Sequence, residues 1–221
     1  MSSVQGTGQT AVFVGGSGNS NDPADRYQRW SPAGFDRTQR MVLVYLWRIP
    51  GIGGDVAVLK QALRGWSLAG TATIQSGLPL TITDSRGGSI YGFASTSRAQ
   101  LCPGVTHSNI STSGSVGDRV NNYFNPAAFC AVPVIGNGTG YGNSGAGIVR
   151  GPNQNNIDFS LTRAFAVKEH QSLEFRSEFF NAFNHVQYST PGTAFGTASF
   201  GVIGSTSVAA RLIQFGMKYH F

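Results

Sequence analysis

The last eleven residues, RLIQFGMKYHF, alternate strictly: Ile213, Phe215, Met217, Tyr219 and Phe221 share one side, and Leu212, Gln214, Gly216, Lys218 and His220 the other. Period two over such a run requires a β-strand. Eleven residues is also about the length of a tilted strand crossing an outer membrane. Four earlier segments repeat the pattern. In TQRMVLVYLWRI, Met41, Leu43, Tyr45, Trp47 and Ile49 share a face, with Arg40 and Arg48 ending the other. In GWSLAGTATIQ, Trp66, Leu68, Gly70, Ala72 and Ile74 oppose Ser67, Ala69, Thr71, Thr73 and Gln75. In NIDFSLTRAF, Ile157, Phe159 and Leu161 oppose Asp158, Ser160 and Thr162. In SLEFRSEFFNAF, Leu173, Phe175, Ser177 and Phe179 oppose Glu174, Arg176 and Glu178. A weaker sixth strand, QTAVFV, lies near the N-terminus.

Alternation fits a soluble sandwich with one wet face, and equally a membrane barrel with lipid outside and a polar lumen inside. Composition favours the second. Only 12% of the 221 residues are charged, against roughly 25% in soluble domains. Aromatic placement agrees. Suppose the strands run up and down and the C-terminus lies on the periplasmic side. Trp47, Trp66, Phe165, Tyr219 and Phe221 then gather near the periplasmic rim, where an aromatic girdle belongs. The connections sort likewise: 50–65 and 166–170 become short periplasmic turns, and 15–38, 84–155 and 184–209 long outer loops. The stretch 84–155 is rich in Gly, Ser and Asn; its GNSGAG cluster, like GGSGNS upstream, reads as a flexible loop tip and lacks the setting of a phosphate-binding loop.

The charged residues of the polar face, Arg40, Arg48, Glu174, Arg176, Glu178 and Lys218, are expected to face the lumen. Arg163 is placed on or next to that face. Arg40, Arg48, Arg163 and Lys218 could lend the lumen a positive potential; pairing with Asp158, Glu174 and Glu178 is the simpler reading. Glu174, Arg176 and Glu178 are same-face neighbours, better explained as an ion-pair ladder than as catalytic carboxylates. His107, His170, His185 and His220 lack metal spacing. No catalytic residue, cofactor or metal is expected, and the chain is not expected to be an enzyme. The net charge of +6 is scattered, so nucleic acid is not an expected partner. NIS (109–111) and NGT (137–139) match the glycosylation pattern by coincidence. Cys102 and Cys130 form one disulfide or remain two unrelated thiols.

RGPNQNNIDFSLTRAF, LEFRSEFFNAFNHVQYSTP and FGVIGSTSVAARLIQFGMKYHF together resemble the C-terminal end of Oar-like TonB-dependent receptors. FDRTQRMVLVYLWRIPG, LRGWSLAGTATIQSGLPLTI, YFNPAAF and YGNSGAGIVRGP are similar to that family's preceding segments, in order. The resemblance spans residues 22 to 221 and implies a barrel of about 22 strands around a plug, importing a bulky nutrient with energy relayed by TonB. It also implies that Ile213, Phe215, Met217, Tyr219 and Phe221 form the signal read by the barrel-assembly machinery. The family's N-terminal module, plug and TonB-contacting segment have no counterpart here, nor does MSSVQGTGQTAVFVGG read as a signal peptide.

The expectation is therefore an all-β, antiparallel up-and-down transmembrane barrel segment in the outer membrane. It is an incomplete barrel of about six strands with long outer loops, residues 1–221 forming the C-terminal part of a longer receptor. Its partners are outer-membrane lipid and the assembly machinery, with TonB reached only through the missing part. Two alternatives stand beside it. A carbohydrate-binding β-sandwich would bury Phe175, Phe215 and Tyr219 against a second sheet; a small passive pore or adhesin would need at least eight strands.

Overall fold

The computed structural model describes residues 3–5, 21–22, 30–50, 64–92 and 97–221. Five long strands form one antiparallel sheet: β1 (Arg40–Arg48), β2 (Trp66–Gln75), β3 (Gln154–Lys168), β4 (Gln171–Phe180) and β5 (Leu212–His220). Their spatial order is β1-β2-β3-β4-β5, an up-and-down meander. Each alternating segment became a strand because period two is satisfied only by the pleat. The sixth expected strand, QTAVFV, lies outside the described residues, as does most of the 50–65 turn.

Register fixes which side chains share a face. Tyr45 stands opposite Gly70, Gly70 opposite Phe159, Phe159 opposite Phe179, and Phe179 opposite Ile213. The next rung reads Trp47, Leu68, Leu161, Ser177 and Phe215. The apolar sides of all five strands thus merge into one face. Large rings alternate with small residues across it. A Cβ on Gly70 would lie 2.5 Å from the Tyr45 hydroxyl oxygen, so the tyrosine covers the strand where a side chain is missing. Phe159 stacks on Phe179 at 4.6 Å, and Phe175 on Phe215 at 6.2 Å.

Two boundaries differ from expectation. β3 continues to Lys168, leaving Glu169 and His170 as the turn, with an irregularity between Ala166 and Lys168. β4 ends at Phe180 and not at 183, because Asn181 turns to φ 47°. A small amide side chain tolerates the left-handed region and can bond locally. Here Asn181 accepts from His185 N (2.9 Å) and donates to the carbonyls of His185 and Ala209 (both 3.1 Å). Asp158 accepts from Asn181 N and from Asn156 Nδ2, each at 2.8 Å. Gln187, 1% exposed, accepts from Asn155 N at 2.8 Å and donates back to Asn155 O. This knot ends the strand and satisfies backbone groups that the ladder no longer pairs.

The remaining described residues form a second compact unit, drawn from 1–39, 76–153 and 188–205. The 84–153 stretch holds no strand longer than two residues, as a loop would, but it is packed, and the reading of GNSGAG as a flexible tip is corrected here. Ile82, Ala99, Ile110, Phe124, Phe129 and Ile203 form a buried core, and Phe124, Phe129, Phe195 and Phe200 make an edge-to-face cluster with centroids 5.1–5.8 Å apart. GNSGAG is packed: Ser144 is 1% exposed, and Asn143 bonds Leu101 N at 2.7 Å. Cys102 and Cys130 form a disulfide, with Cα atoms 5.1 Å apart, beside the two-residue ladder of Gln100–Leu101 with Phe129–Cys130. Of the two readings left open for the cysteines, the structure selects the bridge.

Within this unit Asp84, 1% exposed, accepts two hydrogen bonds from the Arg86 guanidinium (3.1 and 2.9 Å) and one from its backbone N–H (2.9 Å). Burial pushes the carboxyl up, but the Arg86 bonds and charge outweigh it and hold the group below the ordinary carboxylate range. A depressed folded pKa contributes stability above the unfolded value of 3.8, lost as pH falls through the folded value. Arg86→Ala is therefore expected to destabilise the unit by about 1–2 kcal/mol at pH 7. The gap between variant and wild type should close on acidification below the carboxylate range. Urea unfolding of both proteins at pH 7 and pH 3 reads this; a gap independent of pH would contradict it.

Candidate functional site

The candidate site is the sheet itself, which has two chemically different faces. On the first, the β5 residues Phe215, Met217 and Tyr219 are 71%, 70% and 49% exposed, Ile213 is 42% exposed, and Phe221 beyond the strand is 94% exposed. Trp47 is 54% exposed and Phe165 38%. A sandwich required Phe175, Phe215 and Tyr219 to be sealed against another sheet; Phe175 is half-buried, but the exposure of Phe215 and Tyr219 speaks against it. A water-facing apolar surface of this extent is not tolerated by soluble monomers. Hydrocarbon is the solvent that suits it.

Trp47, Trp66 and Phe165 lie at the end of the sheet served by the 49–65 and 169–170 connections. They occupy successive strands, each one rung further along than the last. Trp66 meets Phe175 edge-on at 6.2 Å. Tyr219 pairs with Leu173, which pairs with Phe165, so the end of β5 joins the same band.

On the second face lie Arg40, Arg48, Glu174, Arg176, Glu178 and Lys218. Glu174 stands opposite Lys218, and Arg176 bonds Glu178 at 2.6 Å. His220 approaches Glu174 at 3.9 Å. Arg40 and Arg48 stand at the two ends of β1, opposite Gln75 and Ser67. Between them β1 breaks the polar pattern: Val42, Val44 and Leu46 share this face and are 47%, 73% and 71% exposed. Arg40, Arg48, Arg176 and Lys218 balance Asp158, Glu174 and Glu178 to within one charge, which argues against a strongly positive surface. Among the described residues no group of His, Cys, Asp and Glu could hold a metal ion.

Arg163 is the residue that parity corrects. It stands opposite Trp66 on one side and Phe175 on the other, so it belongs to the apolar face and not on or beside the charged one. Its guanidinium lies 4.3 Å from the Phe165 centroid and 5.7 Å from that of Trp66. Counting in twos from Ile157 would have found it. Asn181 and Gln187 were also missed, and no periodicity marks them. The only signal was an Asn-rich break, FNAFNH, directly after a strand.

A five-stranded antiparallel meander, apolar across one face and more polar across the other, with its charges on the strands β3 to β5 and at the ends of β1, is the wall of an outer-membrane type of β-barrel. Both edges, β1 and β5, are open among the described residues, so the barrel is incomplete. The chain belongs to the outer membrane beta barrel domain family, whose model matches residues 2–214. It is thus an outer-membrane protein, and its disulfide fits that oxidising setting. No curated protein and no solved structure matches the chain.

Proposed function

We propose that these strands form part of the wall of a TonB-dependent transporter that takes up a bulky nutrient. The observation that carries this reading is the apolar face that runs through five registered strands, interrupted by Arg163, with ion pairs on its reverse. Such a wall has lipid on one side and an aqueous lumen on the other. The resemblance of residues 22–221 to Oar-like receptors supplies the transporter class. In this reading residues 1–221 are the C-terminal part of the receptor, and TonB engages N-terminal parts that these residues do not resemble. Trp47, Trp66 and Phe165 anchor the wall at the periplasmic interface. Phe221, Tyr219, Met217, Phe215 and Ile213 serve as the assembly signal: an open strand edge offers backbone groups and an aromatic side to the folding machinery. Catalysis, a cofactor and nucleic acid have no part in it.

The test is uptake by cells carrying the gene at its own locus, with and without a functional TonB system. Labelled oligosaccharides, peptides and ferric chelates too large for general porins serve as probes. At least one should accumulate only when both the gene and TonB are present. Gene-dependent accumulation that ignores TonB would mean a passive pore, and no gene-dependent uptake would remove the transport reading.

A further inference from the structure

The connection from β2 to β3 presents two tyrosines as one stacked pair. Tyr91 lies on Tyr141 with ring centroids 5.0 Å apart and planes 9° from parallel. Tyr141 is half-buried, whereas Tyr91 is 55% exposed. Ser89–Tyr91 is a single 3-10 turn held between Gly88 (φ 76°) and Gly92 (φ 73°), both left-handed. Tyr91 N donates to Gly88 O and Gly92 N to Ser89 O, each at 3.1 Å. The short hairpin of Val134–Ile135 with Gly138–Thr139 fixes this turn. Gly88 N bonds Gly140 O at 2.9 Å, and Thr139 N bonds Ser89 Oγ at 2.8 Å. A Cβ on Gly88 would lie 2.6 Å from Tyr141 Cε1, so backbone packs directly on that ring. Ile90, Val134 and Ile135 are exposed as well. Among the described residues neither tyrosine hydroxyl has a hydrogen-bond partner.

We infer that Tyr91, backed by Tyr141, is a stacking platform for a neutral oligosaccharide of all-equatorial pyranose units. This deepens the proposed function by naming the nutrient class, and rests on that reading for its place in uptake. A pyranose with equatorial hydroxyls carries axial C–H bonds on both faces, and these lie flat on an aromatic ring. Its hydroxyls project from the rim, where an unbonded phenol O–H can donate and accept. Tyrosine supplies such amphipathic area at low entropy cost, and the braced turn and second ring lower that cost further. The other probe classes fit less well. A ferric chelate carries charge and needs a counter-charge. Arg86, whose carbonyl accepts from the Thr139 hydroxyl, spends its guanidinium on Asp84 at 3.1 and 2.9 Å. The charge that acts on Tyr141 comes from Asp22 and is negative. An extended peptide would need a long strand edge, and the strands of the hairpin are two residues each.

The full chain, purified in lauryldimethylamine oxide (a detergent without a sugar headgroup), is titrated with cellohexaose by calorimetry, and saturation-transfer NMR maps the contact. Wild type should bind, with saturation strongest at the axial ring protons. Tyr91→Ala should weaken binding about tenfold, the loss of one ring stack. Tyr91→Phe, which keeps the ring and loses the hydroxyl, should weaken it about threefold. Binding that Tyr91→Ala leaves unchanged would overturn the platform, and no binding by wild type would overturn the sugar. Tighter binding of hexaalanine than of cellohexaose would assign the surface to peptide and overturn the sugar likewise. A wild type that is dimeric where Tyr91→Ala is monomeric would give the ring to a second copy and overturn the site. The assay contains no TonB, so its failure is separable from that of the transport reading. TonB-dependent uptake of another probe without cellohexaose binding would sink the sugar alone. Cellohexaose held at Tyr91 by a chain that imports nothing would sink transport and uphold the platform.

Discussion

Phe159→Arg is expected to cost about 2–4 kcal/mol in a bilayer from placing a cation on the lipid side near mid-strand, and about 1 kcal/mol more from losing its aromatic partner. Its neighbour Ser160→Arg should be close to neutral. The two residues are adjacent in sequence but point to opposite faces. Phe159 stacks on Phe179 at 4.6 Å in the centre of the apolar face, whereas Ser160 stands opposite Glu178 on the charged one. An arginine at 160 would meet water and a carboxylate. Urea unfolding of the full chain from lipid vesicles, followed by a spectroscopic or gel-shift readout, compares the two variants with wild type. Equal effects would mean that the faces do not differ in solvent. A reversed order would put hydrocarbon on the charged side and remove the proposed topology.

The same contrast explains which parts of this fold could be read from the chain. A strand in a two-sided wall must alternate, so Ile157–Leu161 and Ile213–Phe221 announce themselves by parity alone. Parity also places every residue of a strand once one is assigned, and it places Arg163 on the apolar face. Charge suggested otherwise, because arginine is expected on the polar side; here its guanidinium lies against the rings of Trp66 and Phe165. The ends of strands follow a different logic. β4 stops where Asn181 can adopt a left-handed conformation and exchange bonds with His185, Ala209 and Asp158. Those partners lie up to 28 residues away, and nothing in the local pattern marks them. β1 is a third case: Val42, Val44 and Leu46 are apolar on the face that should be polar, which a two-letter pattern reads as an imperfect strand.

Phe124→Ala should have an effect of similar size in the other compact unit, at about 3–5 kcal/mol. Phe124 is fully buried and meets Phe129 and Phe200 edge-on at 5.8 and 5.1 Å. Removing the ring opens a cavity where two chain segments are tied together, because Tyr123 N bonds Gly201 O at 2.9 Å and Ile203 N bonds Val120 O at 2.7 Å. This core was hidden in sequence because its residues arrive singly between turn residues, with no period to betray a common direction. A unit so poor in regular structure relies on few large contacts, helped by the Cys102–Cys130 bridge, whose 28-residue separation corresponds to roughly 3–4 kcal/mol of chain entropy. Loss of the ring should therefore propagate through the unit while the sheet keeps its own ladder of backbone bonds. Hydrogen exchange separates the outcomes. Amides of 99–102 and 123–130 should lose protection in Phe124→Ala, and those of β3 and β4 should keep it. Equal loss in the strands would show that the sheet cannot hold without this core, and the two units would then have to be treated as one cooperative body.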